Sequence, residues 1–365
     1  SNSTISGVTL ITADGGETNY STLAEATEAA EDGATIKLNE DITISNGADF
    51  GAILREITLN NQTYDAYLFE KDITFDLNGN RLTYDENYQL VVYGEGTEVT
   101  FKDSSVTGND RGGRLVLDNA TYVNFNIGAY TGTILNISNI YVDGAGSTFF
   151  PNGDAAELNI TSCDVTGDVY CVGTNAGSTD NYNVRINLRD SKFETKSSSH
   201  NDGDNCTILL NVKGTLDIDN CDITGDRQAV IVRAGNANIT NSNITVTGEC
   251  RGITDRVDGN WGEGNEVAPG ALIVGNRNGN YNAVADVDVS DTVITVNSSA
   301  DTNFPAIYVD SNAVHTATID ITGANTRVTG TVTTGQNTTA GQSNINIYAG
   351  TYLTKDGNPN IAVAS

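Results

Sequence analysis

Apolar and polar positions alternate along this chain in one recurring phrase: two apolar residues separated by one residue, a small or polar corner, then another apolar residue. It reads Val99-x-Phe101-x-Asp103-Ser104-x-Val106 and returns at Leu135-x-Ile137-x-Asn139, Leu158-x-Ile160-x-Ser162-Cys163-x-Val165 and Ile186-x-Leu188-x-Asp190-Ser191-x-Phe193. Further copies begin at Leu216, Ala237 and Val287, and looser ones at Ile319 and Ile345. Successive starts lie 21 to 36 residues apart, apart from one gap of 50 between Ala237 and Val287. Each unit is too short for an amphipathic helix and has period two, so it predicts a strand with one buried face. Second apolar runs follow the corners at Val169 to Val172, Ile208 to Val212, Ala229 to Val232, Ala271 to Val274 and Ala306 to Val309. One repeat therefore holds two or three short strands.

Repeats of this kind bury their apolar faces only by stacking, each strand pairing with its equivalent about 4.8 Å away. The expected architecture is an all-β parallel β-helix. Ile137, Ile160, Leu188, Ile218, Ile239 and Val289 should form an inward column. Asn139, Ser162, Asp190, Asn220, Asn241 and Asp291 should share a corner where polar side chains bridge from coil to coil. The open edge of a first coil needs a cover. Ser21 to Glu31, with Ser21 as N-cap, Leu23, Ala26 and Ala30 at helical spacing and Gly33 as stop, predicts a lid helix. Alternation over Ala34 to Ile44 then opens the strand pattern. The domain reading is an N-terminal strand and capping helix over 1–33 and the β-helix over 34–365, one elongated domain in which a solenoid grows without a second core.

The formal charge is −28, from 19 basic and 47 acidic residues. A nucleic-acid surface needs clustered Lys and Arg to displace counterions, so that partner is excluded. No stretch is long and apolar enough for a membrane-spanning helix. The chain opens at Ser1 without a basic and apolar leader, so a signal peptide is expected to have been removed or left out. Five cysteines are an odd number. Cys163 and Cys221 hold the same slot two coils apart, about 9 to 10 Å, too far for a disulfide, and read as small buried fillers. Asn136, Asn159, Asn238 and Asn243 match the Asn-x-Ser/Thr pattern but fall in strands or corners, which favours ladder chemistry over glycosylation.

The coil phrase, the lid Tyr20-Ser-Thr-Leu-Ala-Glu-Ala26, the segment Ile73-Thr-Phe-Asp-Leu-Asn-Gly79 and Ile345-Asn-Ile-Tyr-Ala-Gly-Thr-Tyr352 resemble the right-handed parallel β-helix proteins of the pectate-lyase-like superfamily. The resemblance runs from about Tyr20 to Tyr352 and is greatest to the non-enzymatic surface and adhesin-type members from bacteria. It implies a right-handed coil and a secreted or wall-associated module, acting as a monomer on a glycan or host-surface ligand. A fold does not set its chemistry, so a polysaccharide lyase or glycoside hydrolase and a structural spacer are the alternatives.

Gly225-Asp226-Arg227, followed one coil later by Arg251-Gly252, is similar to the catalytic coils of polygalacturonases, which carry Gly-Asp-Asp and Gly-His-Gly. Arg227 and Arg251 stand where that pattern has an Asp and a His. Inverting hydrolysis needs an acid and a base carboxylate flanking the bond, and the pair is missing in that form. Asp226 reads as a corner residue. His200-Asn-Asp202-Gly-Asp204-Asn205 is oxygen-rich, so Asp202 and Asp204 are calcium candidates, with a solvated turn as the alternative. No other cofactor is indicated.

The 50-residue gap holds the one tryptophan, Trp261, among Asp255, Arg256, Asp258, Glu263 and Glu266. An indole face stacks on sugars while carboxylates accept hydroxyl hydrogen bonds, so this long excursion is the binding candidate. Trp261 folded back over apolar coil surface is the alternative. Arg227, Arg233, Arg251 and Arg256 are expected near its base as an anion site, or each paired with an Asp. Tyr64, Tyr67, Tyr84, Tyr88 and Tyr93 form a second aromatic group, read as packing of an early loop.

Overall fold

The computed structural model describes residues 7–59, 62–118, 125–175, 182–195, 206–247, 270–275, 284–297, 305–310, 316–334 and 343–360. It is an all-β parallel β-helix of three long, largely parallel sheets. Each coil gives one strand to each sheet, so the coil has three strands. Glu98–Lys102 enters the first sheet, Arg114–Leu117 the second and Ile127–Ala129 the third. The chain then returns as Ile134–Ser138 beside Glu98–Lys102, with Val99 opposite Leu135 and Phe101 opposite Ile137. Among the described residues no helix is long and apolar enough to cross a membrane.

Two compact units are present: Ser1–Val165 with Val184–Ile186, and Thr166–Asn183 with Asn187–Ser365. In the first unit Ile36, Phe75, Phe101, Ile137 and Ile160 stand in register as one buried column. In the second, Ile218, Ile239, Val289 and Ile321 do the same. Leu188 is buried within a strand of the same alternation. Each such side chain contributes about 1.5 to 3 kcal/mol when removed from water, which is what holds the register.

The apolar runs noted after the corners are the third sheet. In the first sheet Lys213–Asp219 alternates between buried and accessible positions, whereas every residue of Cys206–Leu210, Gln228–Val232 and Gly270–Gly275 in the third is buried. A parallel strand shielded on both faces needs apolar residues at both parities, so the alternation disappears there.

The polar corner has a simpler cause than a continuous ladder. Asn78, Asn139, Ser162, Asp190, Asn220, Asn241 and Asp291 all adopt positive φ, between 47° and 58°. Asn and Asp tolerate the left-handed region better than other residues with a side chain, so the backbone bend selects them. Bridging is only partial. Asn220 Nδ2 donates to Asp190 Oδ1 at 2.6 Å, but Asn139 Nδ2 turns to the carbonyls of Gly108 and Asp110. On the strands Asn159 Nδ2 donates to Asn136 Oδ1 at 2.9 Å, and Asn243 Nδ2 to Asp222 Oδ1 at 2.6 Å, so these amides are engaged in the sheet faces.

After five of these seven corners the next slot is filled by Cys163, Ser191, Cys221, Ser242 or Thr292, all buried, whereas Gly79 follows Asn78 and the buried Ile140 follows Asn139. Each of the five donates its S–H or O–H to the carbonyl two residues back, at 3.3, 2.6, 3.4, 2.7 and 2.9 Å. No disulfide joins Cys163 to Cys221, as their spacing predicts, and both are small donors as well as fillers. Burial pushes both thiols up to about 12.

At the N-terminal end β1 (Val8–Ile11) and β2 (Glu17–Tyr20) form a hairpin, followed by α1 (Leu23–Ala29), β3 (Ala34–Leu38) and β4 (Ile42–Ile44). The alternation over 34–44 is thus two strands on different sheets, broken at the corner. The helix is shorter than its pattern, and its N-cap is Thr22 in place of Ser21. Thr22 Oγ1 accepts from Glu25 N at 3.2 Å while the Glu25 carboxylate accepts from Thr22 N at 3.1 Å. That reciprocal capping box satisfies two free helix donors, which Ser21 could not do with a residue at the required distance. Inside the first coils Phe50, on a 3-10 turn Gly47–Phe50, packs against Phe69, Phe75, Phe101 and Tyr84 with ring centroids 5.2 to 6.2 Å apart. The tyrosines read as packing are largely that: Tyr84 is fully buried with its hydroxyl donating to Tyr88 O, and Tyr67 donates to Asn46 Oδ1.

Candidate functional site

The two described residues that flank the long excursion of the sequence, Thr247 and Gly270, meet at a single corner, Gly225-Asp226-Arg227. The outgoing root is Thr247, whose N–H donates to Gly225 O at 2.9 Å and whose hydroxyl donates to Asp226 Oδ1 at 3.2 Å. The returning root is Gly270, whose N–H donates to Arg227 O at 2.8 Å. The corner is tight, because a Cβ on Gly225 would meet Gln228 O at 2.2 Å, so glycine is required by close approach. The strands on either side lock it in register, with Gly225 opposite Val246 and Gln228 opposite Gly270.

Asp226 is 5% exposed, Arg227 2% and Gln228 0%. Asp226 is a corner residue, as read, and one of its carboxylate oxygens, Oδ1, accepts the Thr247 hydroxyl. Buried charges persist only when paired, and both Asp226 and Arg227 have partners within the protein. Neither side chain is presented at the surface, where a polymeric substrate would have to meet an acid or a base.

Arg233 does not join Arg227. It lies at the opposite end of the strand Gln228–Val232, six residues away, about 20 Å at the rise of an extended strand. It too is buried, at 1% exposure, with its N–H on Leu210 O at 2.9 Å. The expected anion site is thus not assembled from these two arginines. Sequence adjacency of coils suggested proximity, but a strand's length separates its ends.

Trp261, Asp255, Arg256, Asp258, Glu263, Glu266 and Arg251 lie outside the described residues, as do the calcium candidates Asp202 and Asp204. Among the described residues no three His, Cys, Asp or Glu side chains are grouped to hold a metal. The residues that sequence reasoning missed are the two roots, Thr247 and Gly270. Their signal was the boundary of the gap, where the strand pattern stops after Val246 and resumes at Gly270.

The outward face of the first sheet is a second polar surface. In the second unit Asp217, Asn238, Asp288, Asp320 and Asn346 stand in one row, one per coil. Asn346 Nδ2 donates to Asp320 Oδ1 at 2.7 Å. Such a row offers hydrogen-bonding groups about every 4.8 Å along the coil axis.

Compared with protein families, curated proteins and solved structures, the chain matches none.

Proposed function

We propose that this β-helix is an extracellular or cell-wall-associated module that binds glycan or a host-surface ligand, with no catalysis of its own, and that it resembles the non-enzymatic pectate-lyase-like proteins in this. The observation that carries the reading is the anchoring of the excursion. Both of its roots are hydrogen-bonded to one buried corner of a rigid sheet, and long connections on rigid frames are where binding residues concentrate. That excursion holds Trp261 among carboxylates, the side-chain set that recognises sugars by stacking and hydroxyl hydrogen bonds. The burial of Asp226 and Arg227 supports binding over hydrolysis, since the groups most similar to a polygalacturonase pair are withdrawn from the surface.

A glycan array run beside reducing-sugar and unsaturated-product assays tests the proposal. Binding without turnover is expected, and Trp261→Ala should weaken it by about 1 kcal/mol or more, the worth of an aromatic platform. Turnover of pectin or polygalacturonate that vanishes in Asp226→Asn or Asp255→Asn would overturn the reading. Binding unchanged in Trp261→Ala would remove the site from the excursion.

A further inference from the structure

Among the described residues the N-terminal cap leaves one sheet edge open beside a groove. There β2 is the outermost strand of the first sheet and pairs only with β1. Which of its backbone groups are free follows from the ladder. Asn39 N donates to Gly7 O at 3.0 Å, so the odd-numbered residues of β1 turn toward β3 and the even-numbered ones toward β2. Val8 and Leu10 face Tyr20 and Thr18, which therefore spend their N–H and C=O groups on β1. The Thr12 N bond to Gly16 O, 2.9 Å, closes the hairpin in the same phase. Glu17 and Asn19 consequently aim their N–H and C=O away from the sheet, and both residues are exposed.

Beside this edge runs a groove of about 440 Å³ lined by Asn19, Tyr20 and Ser21 on one wall and Glu25, Glu28 and Ala29 of α1 on the other. An open strand edge flanked by a helix is the geometry in which an extended peptide adds as one more strand while its side chains enter the cleft. Charge selects the occupant. Residues 1–36 contain Asp14, Glu17, Glu25, Glu28, Glu31 and Asp32 and no lysine or arginine. Lys71, which reaches α1, spends its ammonium on the carbonyls of Thr27 and Ala30. A second copy of a chain with net charge −28 would bring like charge to an acidic cleft, which opposes self-association there.

We propose that the open edge of β2 and the adjoining face of α1 form a docking groove for an extended, basic peptide segment of another protein. The backbone of Glu17 and Asn19 supplies the pairing, and Glu28, exposed on the helix wall, supplies charge selection.

The probe is a fluorescein-labelled ten-residue peptide alternating Lys and Val, read by anisotropy against the whole chain. Its controls are the Glu/Val counterpart and the Lys/Val peptide N-methylated on alternate amides. Saturable binding of the Lys/Val peptide is expected, at least about tenfold tighter than either control, with about fivefold loss in Glu28→Lys. Amide exchange at Glu17 and Asn19 should slow on binding, while Thr18 and Tyr20, already paired, should not change. Binding that survives N-methylation or leaves the Glu17 and Asn19 amides unprotected would be attraction to the acidic surface alone and would overturn the proposal. So would no binding, or a dimer in sedimentation velocity that the peptide dissociates, which would make a second copy the occupant.

Discussion

Asp103 shows how much of this fold rests on single polar residues at corners. It is buried, and its two oxygens accept from Gly79 N at 2.6 Å, Gly113 N, Ser105 N at 2.7 Å and the Ser105 hydroxyl. A Cβ on Gly112 would lie 2.4 Å from the Asp103 carboxyl carbon, so the loop closes on the carboxylate only because glycine is there. Burial pushes the carboxyl up, but the hydrogen bonds from Ser105, Gly79 and Gly113 outweigh it, and the group is held below the ordinary value of 3.8. A carboxylate with a depressed folded-state value contributes stability that is present above the unfolded value and lost as pH falls through the folded one. Thermal unfolding from pH 7 down to about 3 should therefore show a melting temperature that falls below about pH 4. Asp103→Asn should be less stable than the parent at pH 7, with the gap narrowing toward pH 3. A gap constant with pH would remove Asp103 from the acid transition.

At the scale of the element, the turn between first and second sheets is, in five coils, a device of two residues: one in the left-handed region, then one buried donor; at Asn139 the second is the apolar Ile140. Ser242 illustrates the donor. Its hydroxyl donates to Thr240 O at 2.7 Å and accepts from Cys221 N at 3.0 Å, tying two successive coils. Ser242→Ala leaves a buried backbone N–H and a carbonyl short of a partner, a cost of about 1 to 3 kcal/mol. Ser242→Thr should cost much less, because Thr292 fills the equivalent slot of the next coil and receives Ser242 N at 3.4 Å. Urea unfolding of the two variants decides the matter, and equal stability would show that the slot needs only small volume. The alternation of Ser, Thr and Cys at this slot was readable as a pattern, but the reason for it was not. Volume alone admits alanine; only the carbonyl two residues back explains why a donor is present.

For the molecule as a whole, the closure of the first coils depends on Phe50 as well as on α1. Phe50 is 1% exposed and meets four aromatic rings, while α1 lies over its turn, with the Thr27 hydroxyl donating to Asp49 O at 2.9 Å. In a solenoid each coil is stabilised mainly by its neighbours, so damage at the end stays local. Phe50→Ala should cost about 3 to 5 kcal/mol in the first unit. Hydrogen exchange should place the loss of protection in β3, β4 and the strands paired with them, with Ser343–Ile347 unchanged. Uniform loss throughout would mean that the chain unfolds as a single cooperative body.

What the sequence by itself determined is whatever repeats: the strand phase, the coil, the inward column, the polar corner and the lid helix. Each recurs at a fixed slot, and a period-two or period-3.6 burial pattern is a local property of the chain. The absence of a disulfide between Cys163 and Cys221 was legible for the same reason, since coil rise fixes their separation. Only the tertiary structure decided what depends on residues far apart in the chain. Phe50 sits in no repeat, and its role exists only because four aromatic side chains from later strands surround it. Asp226 gained its partner Thr247 from the following coil. The binding reading kept Trp261 from the sequence, but the corner that anchors its segment became visible only when Thr247 and Gly270, 23 residues apart, were brought to the same three residues by the sheet.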